Sequence, residues 1–167
     1  MKHQLTQDEV RRLFDYHEDG YLIRRVYTSW RAQIGDVAGH CGAQGYRRIS
    51  INHRNFLAHR LIFLWHHGWL PIEVDHLDLD RTNCRIEYLR AATPAQNMWN
   101  TSSPLGKSGV KGVYWFPRTR KWVARCKVRG KCHSLGYYSD IKDAEAVVRK
   151  FREEHHGEFA NHGDGCV

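Results

Sequence analysis

Residues 73–97 read EVDHLDLDRTNCRIEYLRAATPAQN, and this stretch decides the fold of the first half of the chain. Two short extended segments are predicted at residues 73–76 and 85–90, with a polar loop between them. A capping box that begins at Thr93, with Pro94 at the first helical position, then predicts a helix. The stretch therefore predicts a ββα unit.

Three polar side chains of this unit can form a catalytic site. Asp75 and His76 are adjacent in a strand, so their side chains point in opposite directions, and Asn97 lies in the first turn of the helix. If strands and helix pack together, Asp75 and Asn97 offer oxygen ligands to one hard cation, which suits Mg²⁺ or Mn²⁺ better than zinc. His76 then stays available to deprotonate a water. An Asp-His pair alone is more often a turn or surface group, so these residues by themselves leave both interpretations open.

Three segments of the stretch closely resemble the phage HNH homing endonucleases: Val74–Asp78, Thr82–Arg90 and Thr93–Asn97. That family reads roughly D-H-x-D, then N-N-R-x-x-N-L-R, then T-x-x-x-N, and Ala58–Leu61 resembles its lead-in of H-R-L before an apolar helix. The resemblance covers about residues 20–100. It implies that His76 is the general base, that Asp75 and Asn97 bind one Mg²⁺ or Mn²⁺ ion per active site, and that the cut leaves a 5′-phosphate.

Tyr88 departs from the family pattern, which has Asn at this position to brace the hairpin that presents the histidine. Three interpretations are open: the tyrosine hydroxyl replaces the brace with a hydrogen bond, Tyr88 takes part in the chemistry, or the enzyme is weakened. The first is favoured because tyrosine in a small hydrophobic unit usually packs with its hydroxyl bonded. Cys84 replaces a second family Asn, with loss of a local turn bond.

Three neighbouring residues have two interpretations each. Arg85 or Arg90 can neutralise the scissile phosphate or be a solvated hairpin residue, and Arg90 is taken as the catalytic candidate. His59 can orient the site or touch phosphate, but it can equally be structural.

The whole chain has a formal net charge of +8, and the positive charge is concentrated in its second part. Residues 1–105 carry 13 Lys and Arg against 11 Asp and Glu, whereas residues 106–167 carry 13 against 7. Residues 107–134 hold nine basic residues and no acidic one. A solvated basic face is the weaker interpretation, because clustered cations release counterions from a phosphate backbone. Nucleic acid is the predicted partner.

Three strands and a helix are predicted in this basic region, with strands at residues 112–116, 122–129 and 132–138. Alternation directs one set of side chains inward: Val113, Trp115, Trp122, Ala124, Cys126 and Val128. The outward set and neighbouring basic residues are the predicted DNA contacts: Lys111, Tyr114, Phe116, Arg118, Arg120, Lys121, Arg125 and Lys127. Aromatic and cationic side chains on an open sheet fit a DNA groove, and an RNA-binding sheet is the alternative.

Four segments look like the APETALA-type DNA-binding domain of plant transcription factors: Ser108–Val113, Lys121–Arg125, Leu135–Tyr138 and Ala144. The resemblance covers about residues 107–160, and the same module follows many phage HNH enzymes. It implies a three-stranded sheet lying in the major groove of double-stranded DNA. Ser134 falls where the plant domains often have tryptophan, so base specificity is not carried over.

The sequence predicts an α+β protein with two domains. An HNH nuclease domain over residues 1–100 has a ββα-metal core preceded by strands and helices, and residues 101–108 form a linker. Residues 109–160 form the APETALA-type domain, a three-stranded antiparallel sheet packed on one helix. Residues 161–167 are predicted to be a frayed tail.

Two helices and several short strands are predicted before the ββα unit. A capping box at Thr6 starts a helix that runs to about Tyr16. Glycines across residues 35–51 indicate short strands in a meander. Residues 57–67 form an apolar helix that stops at Gly68.

Five widely spaced cysteines form no C-x-x-C pair: Cys41, Cys84, Cys126, Cys132 and Cys166. They are predicted to be reduced, small core residues, with a mixed Cys/His zinc site as the alternative. No apolar run approaches the ~20 residues of a membrane span, and the chain starts with a polar segment rather than an apolar signal. A cytoplasmic monomer, in a bacterial host cell if phage-encoded, is predicted.

Together these features predict a metal-dependent DNA endonuclease of the homing type that nicks or cleaves double-stranded DNA. The alternative is a non-catalytic DNA-binding regulator built on a decayed HNH core. Asp75, His76 and Asn97 favour the enzyme, and Tyr88 is the argument for the regulator.

Overall fold

The computed structural model describes residues 5–100 and 106–164. The chain divides into two compact units, residues 1–93 and 94–167. The division falls before the helix that carries Asn97, and residues 101–105 of the predicted linker lie outside the described residues. None of the described helices is long and apolar enough to cross a membrane.

The first unit combines helices with small antiparallel sheets. In chain order its described elements are α1 (Gln7–Leu13), β1 (Phe14–His17), β2 (Tyr21–Arg24), β3 (His40–Cys41), β4 (Arg47–Ile51), β5 (Arg54–Leu57), α2 (Ala58–His67), β6 (Glu73–His76), a 3₁₀ turn (Ile86–Tyr88) and β7 (Leu89–Ala92). β1 pairs with β2, β4 lies between β3 and β5, and β6 pairs with β7.

Helix α2 is the centre of the first core. It ends at Gly68, whose φ of 78° is the left-handed cap that glycine favours, so the predicted helix is confirmed. Its apolar face packs with α1 and the strands in one buried cluster, which includes Val10, Phe14, Leu22, Ile49, Leu61, Ile62, Leu64, Val74, Cys84 and Leu89.

Helix α1 is shorter than the sequence predicts. It begins at the predicted capping box, where Thr6 accepts a hydrogen bond from the Glu9 backbone N–H, but it ends at Leu13 rather than near Tyr16. The following residues form the hairpin of β1 and β2. Cross-strand hydrogen bonds give their backbone groups partners that local sequence does not reveal.

The second strand of the ββα unit also begins later than predicted. Residues 86–88 form the 3₁₀ turn rather than an extended segment, because the Tyr88 N–H donates to the Arg85 carbonyl at 3.0 Å. Strand β7 starts only at Leu89. The two strands of the predicted unit do pair, antiparallel, and a helix follows them in the chain.

The second unit contains the predicted sheet and helix. Its described elements are α3 (Pro94–Trp99), β8 (Val113–Phe116), β9 (Lys121–Val128), β10 (Lys131–Tyr138), α4 (Ile141–His156) and a 3₁₀ turn (Gly157–Phe159). The strands form an antiparallel sheet in the order β10-β9-β8. Asp140 caps α4 by accepting from the Lys142 N–H at 2.8 Å. Val113, Ala124, Cys126, Val128, Ala144 and Val148 form the buried cluster between sheet and α4.

The segment after α4 is folded, in contrast to the predicted frayed tail. Asn161 is buried, and its side-chain amide donates to the Asn100 carbonyl at 2.8 Å. Arg149 of α4 forms an ion pair with Asp164. Residues 161–164 are therefore held by contacts distant in sequence, and residues 165–167 lie outside the described residues.

Candidate functional site

The hairpin of β6 and β7 presents the predicted catalytic pair. In its register Asp75 lies opposite Arg90 and His76 lies opposite Leu89. Alternation along β6 places the Asp75 and His76 side chains on opposite faces of the hairpin. Both residues are buried, so each side chain is fixed by its neighbours rather than by solvent.

Asp75 is bound by the arginine opposite it. The Arg90 guanidinium donates to Oδ2 of Asp75 from Nε at 2.9 Å and from Nη2 at 2.8 Å. The Arg90 side chain is 13% exposed and the Asp75 side chain is 6% exposed, so solvent screens the pair little. The structure thus makes Arg90 a partner of Asp75, and its predicted contact with the scissile phosphate stays a prediction.

Aromatic rings surround His76. The His59 ring from α2 meets it edge-on, with 4.8 Å between ring centroids, and the Tyr46 ring lies 6.1 Å away. Burial lowers the pKa of His76, although the carboxylates of Asp78 and Asp75 oppose the shift. A lowered pKa keeps the imidazole neutral near pH 7, which is the form that accepts a proton.

His59 is a buried neutral histidine, in keeping with an orienting role beside His76. Burial lowers its pKa to about 3, with a smaller contribution from His76. Its Nδ1 has no hydrogen-bond partner among residues 5–100 and 106–164. This residue therefore resists protonation in the folded state.

We expect His59 to make the protein sensitive to acid. Below pH ~6.5 the unfolded chain binds a proton at His59 but the folded chain does not until about pH 3, so stability falls as the pH falls. The loss between pH 7 and pH 5 is about 2 kcal/mol. Urea unfolding of the wild type and a His59→Gln variant at both pH values checks this. If the variant loses as much stability between pH 7 and pH 5 as the wild type does, the prediction is contradicted.

Main-chain atoms brace the loop that joins β6 to β7. The Leu77 N–H donates to the Tyr88 carbonyl at 2.9 Å and closes the loop. Within it, Asp80 accepts from the N–H and the hydroxyl of Thr82 at 2.8 and 2.7 Å. The favoured interpretation of Tyr88 is wrong: its side chain is 37% exposed, and its hydroxyl forms no hydrogen bond within the described part of the chain.

A Tyr88→Phe variant is expected to cut DNA at a rate within about twofold of the wild type. The variant removes only a hydroxyl that braces nothing, whereas the closing bond uses the main chain and is retained. Initial cleavage rates of the two proteins on the same plasmid check this. A loss above tenfold in a folded variant would instead assign the hydroxyl to the chemistry.

Cys84 and Gly20 show how the hairpin is tied to the core. Cys84 is buried, and burial raises the pKa of its thiol to about 11, so it acts as an apolar core residue in place of the family Asn. Neighbouring Asn83 supplies the turn bond by accepting from the Arg85 N–H at 3.3 Å. A Cβ on Gly20 would lie 2.4 Å from the Arg85 nitrogen, so only glycine permits this close approach.

The remaining cysteines are divided between core and surface. Cys126 is buried as predicted, whereas Cys41 and Cys132 are exposed, so the prediction of a core position is wrong for these two. Cys166 lies outside the described residues. Within residues 5–100 and 106–164, no three His, Cys, Asp or Glu side chains are arranged to hold a metal ion, so the zinc alternative has no ligand set there.

The predicted metal ligands lie in different units. Asp75 is in the first unit, on β6, and Asn97 is in the second unit, half-buried on α3. Pro94 takes the first position of α3, as predicted. A carboxylate and an amide both provide oxygen atoms, the ligands that Mg²⁺ and Mn²⁺ prefer.

The sheet of the second unit has an open face, defined as the face away from α4. It carries three aromatic side chains, three basic ones and one valine: Tyr114, Phe116, Tyr137, Lys121, Arg125, Lys127 and Val123. Arg125 lies over the Tyr114 ring, with Cζ 5.1 Å from its centroid. Val123 is buried on this face between its cross-strand neighbours Tyr114 and Tyr137.

Tyr137 is a residue of the open face that strand alternation missed. A β-bulge between Ser134 and Gly136 shifts the pairing of β10 with β9, and the shift turns Tyr137 to the side of Tyr114. Gly136, with a φ of 128°, is the sequence signal, because glycine inside a strand often marks a bulge.

The other predicted DNA contacts fall in two groups. Those that are exposed are Arg118, Arg120, Lys121, Arg125 and Lys127. Tyr114, Phe116 and Lys111 are half-buried, and the Lys111 ammonium donates to the Trp99 carbonyl at 3.2 Å. Trp115, which was predicted to face inward, lies on the same face of β8 as Val113 and packs against its cross-strand partner Trp122, but it is 44% exposed.

Comparison with known protein families identifies the region that contains the hairpin of β6 and β7. Residues 56–99 match the family model for HNH endonuclease, and this range includes His59, Asp75, His76 and Asn97. No solved structure matches the chain.

Two viral proteins are similar to the chain. It is 33% identical over 88 residues to Protein 3.8 of Escherichia phage T7, and the match covers 52% of this chain and 72% of that protein. It is 31% identical over 122 residues to a protein of Acanthamoeba polyphaga mimivirus described as an uncharacterized HNH endonuclease. That match covers 71% of this chain but only 63% of the mimivirus protein, less than two thirds of its length. Residues 56–99 of this chain therefore belong to an HNH endonuclease domain.

Proposed function

We propose that this protein is a divalent-metal-dependent DNA endonuclease that hydrolyses one phosphodiester bond at a time. The observation that carries the proposal is the pair on β6. His76 is buried with a lowered pKa, and next to it Asp75 is fixed by Arg90. A base that is neutral near pH 7 beside an oriented carboxylate suits hydrolysis assisted by a metal ion.

The side chains proposed to hold the metal ion fit Mg²⁺ or Mn²⁺. Asp75 and Asn97 supply only oxygen atoms, and a site with two protein ligands leaves room for the waters that Mg²⁺ retains. Arg90 holds Asp75 through Oδ2 and thereby limits the orientations of the carboxylate. When bound, one such ion would stabilise the pentavalent phosphate and the leaving oxygen.

His76 performs the proton transfer in this proposal. A ring nitrogen takes a proton from a water, the resulting hydroxide attacks phosphorus, and the bond from phosphorus to the 3′ oxygen breaks. The released 3′ oxygen takes up a proton from solvent water. The product strands then carry a 5′-phosphate and a 3′-hydroxyl. His59 and Tyr46 limit movement of the His76 ring by packing against it, so the base is held in place for the attack.

The open face of the sheet is proposed to hold double-stranded DNA. It combines exposed cations with half-buried aromatic rings and has no acidic residue among residues 107–134. The sheet with one helix behind it supports the resemblance to APETALA-type domains, whose sheet lies in the major groove. We extend the proposed contact set by Tyr137, which shares the face with Tyr114.

A plasmid assay tests the function. Supercoiled DNA with Mg²⁺ or Mn²⁺ should be converted to the open circular form, because a monomer with one active site cuts one strand at a time. Sequencing of the cut ends shows whether a defined site is used, as the homing type requires. A protein that binds DNA but leaves the plasmid uncut with both ions is a regulator, and the enzyme proposal then fails.

A Lys127→Ala variant is expected to weaken DNA binding by removing one phosphate contact from the open face. The slope of log affinity against log salt should fall by about one. Fluorescence anisotropy with a labelled duplex at several salt concentrations measures both quantities. Lys150→Ala, which removes an exposed lysine of α4, is the matched control, and an equal loss in both variants would refute a specific role for this face.

A further inference from the structure

Helix α3 is too short to hold its own shape. It has six residues, and none of them is buried. Isolated helices of fewer than ~12 residues are marginal in water. Contacts outside the helix must therefore help to fix α3, the helix that carries Asn97.

Trp99 makes one such contact within the second unit. Its indole lies flat on the imidazole of His156 from α4, with 4.3 Å between ring centroids and 2° between the planes. It also packs against the buried cluster of the second unit. His156 is itself buried, and its Nε2 lies 3.2 Å from the Lys127 carbonyl on β9. The surface that receives Trp99 is thus anchored to both the sheet and α4.

Two hydrogen bonds hold the carbonyl end of α3. The Lys111 ammonium donates to the Trp99 carbonyl at 3.2 Å, and the Asn161 amide donates to the Asn100 carbonyl at 2.8 Å. These donors come from the loop before β8 and from the segment after α4. The end of the helix is therefore held from two sides as well as by the ring stack.

We propose that Trp99 and His156 are positioning residues for Asn97: their ring stack holds the helix that carries this proposed metal ligand within the second unit. Asn97 and Trp99 are two positions apart, about 160° around the helix axis. The stack of Trp99 on His156 therefore limits rotation of the helix about its axis, and this limits the direction of the Asn97 side chain. This inference rests on the proposed function, in which Asn97 binds the metal ion.

The test is the affinity for Mn²⁺, measured by electron paramagnetic resonance on the full chain bound to a DNA duplex. All proteins carry His76→Ala, so the DNA stays intact. Trp99→Ala is expected to weaken Mn²⁺ binding about tenfold, as removal of groups that orient metal ligands does. Trp99→Phe, which keeps a ring on His156, should retain most of the affinity. Once Asn97→Ala has removed the ligand, adding Trp99→Ala should cause almost no further loss.

Controls separate positioning from general damage. DNA affinity and the thermal midpoint of each variant are measured, and Trp115→Ala removes a tryptophan of the same unit away from α3. If Trp99→Ala does not fold, Asn161→Ala replaces it. This variant removes the hydrogen bond from Asn161 to the Asn100 carbonyl without changing a residue of the helix. A loss of about threefold for Asn161→Ala supports the inference, and unchanged affinity overturns it.

The remaining outcomes distinguish the two proposals. If Asn97→Ala weakens Mn²⁺ binding but Trp99→Ala does not, the positioning role is wrong and the metal ligand stands. Losses that add in the double variant also overturn the positioning role. If Asn97→Ala itself leaves Mn²⁺ affinity unchanged, the proposed ligand set is wrong, and the inference that rests on it falls as well.

Discussion

His76→Ala is expected to lower the rate of DNA cleavage by about 10³-fold. The imidazole is the only proposed group that accepts the proton of the attacking water, and a positioned general base contributes ~10²–10⁴-fold. DNA affinity should stay within about twofold, because the buried His76 ring lies outside the proposed binding face. Plasmid cleavage at saturating Mg²⁺, with anisotropy on the same protein, measures both.

His67→Ala is the control for this prediction. His67 is an exposed histidine at the end of α2, and its removal should leave the cleavage rate nearly unchanged. Equal rates for wild type and His76→Ala would show that another group is the base. A variant that loses DNA affinity along with cleavage would place His76 in binding rather than in chemistry.

Asp75→Ala is expected to lower the free energy of unfolding by about 3 kcal/mol, even with metal ions removed by a chelator. The change takes away the carboxylate that neutralises the largely buried Arg90 guanidinium, and breaking a buried pair from one side costs ~3–5 kcal/mol. Cleavage should be lost as well, because the proposed metal ligand is gone. Urea unfolding measures the stability term separately from catalysis.

A double variant separates the two consequences of losing Asp75. Asp75→Leu with Arg90→Met replaces the ion pair by apolar side chains and should recover much of the stability, since such replacements are often neutral. It should still not cut DNA. If Asp75→Ala unfolds within about 1 kcal/mol of the wild type, the pair is weaker than its burial indicates.

Local sequence signals predicted those parts of the fold that local chemistry determines. The capping box at Thr6, the glycine stop at Gly68 and the proline at position 94 all mark real helix boundaries. Alternating side chains in β9 gave the two faces of the sheet. These signals act within a few residues, which is why a single sequence reveals them.

Local sequence signals do not predict features that depend on contacts between distant segments. The end of α1 depends on pairing with β2, and the order in the last described residues depends on a bond between Asn161 and Asn100. The face that Tyr137 occupies depends on a bulge in β10. In the candidate site, the sequence offered Arg90 as a phosphate contact because nothing local shows that Asp75 lies opposite it in the hairpin.

The main-chain closure between Leu77 and Tyr88 has a consequence for the divergence of this family. Because peptide groups hold the loop that follows His76, selection on the side chain at position 88 can relax without loss of the hairpin. A substitution there then changes what the surface presents and leaves the base in place. A motif that requires asparagine at this position would exclude chains that form the same hairpin. The backbone hydrogen bond identifies such hairpins better than the side chain at this position does.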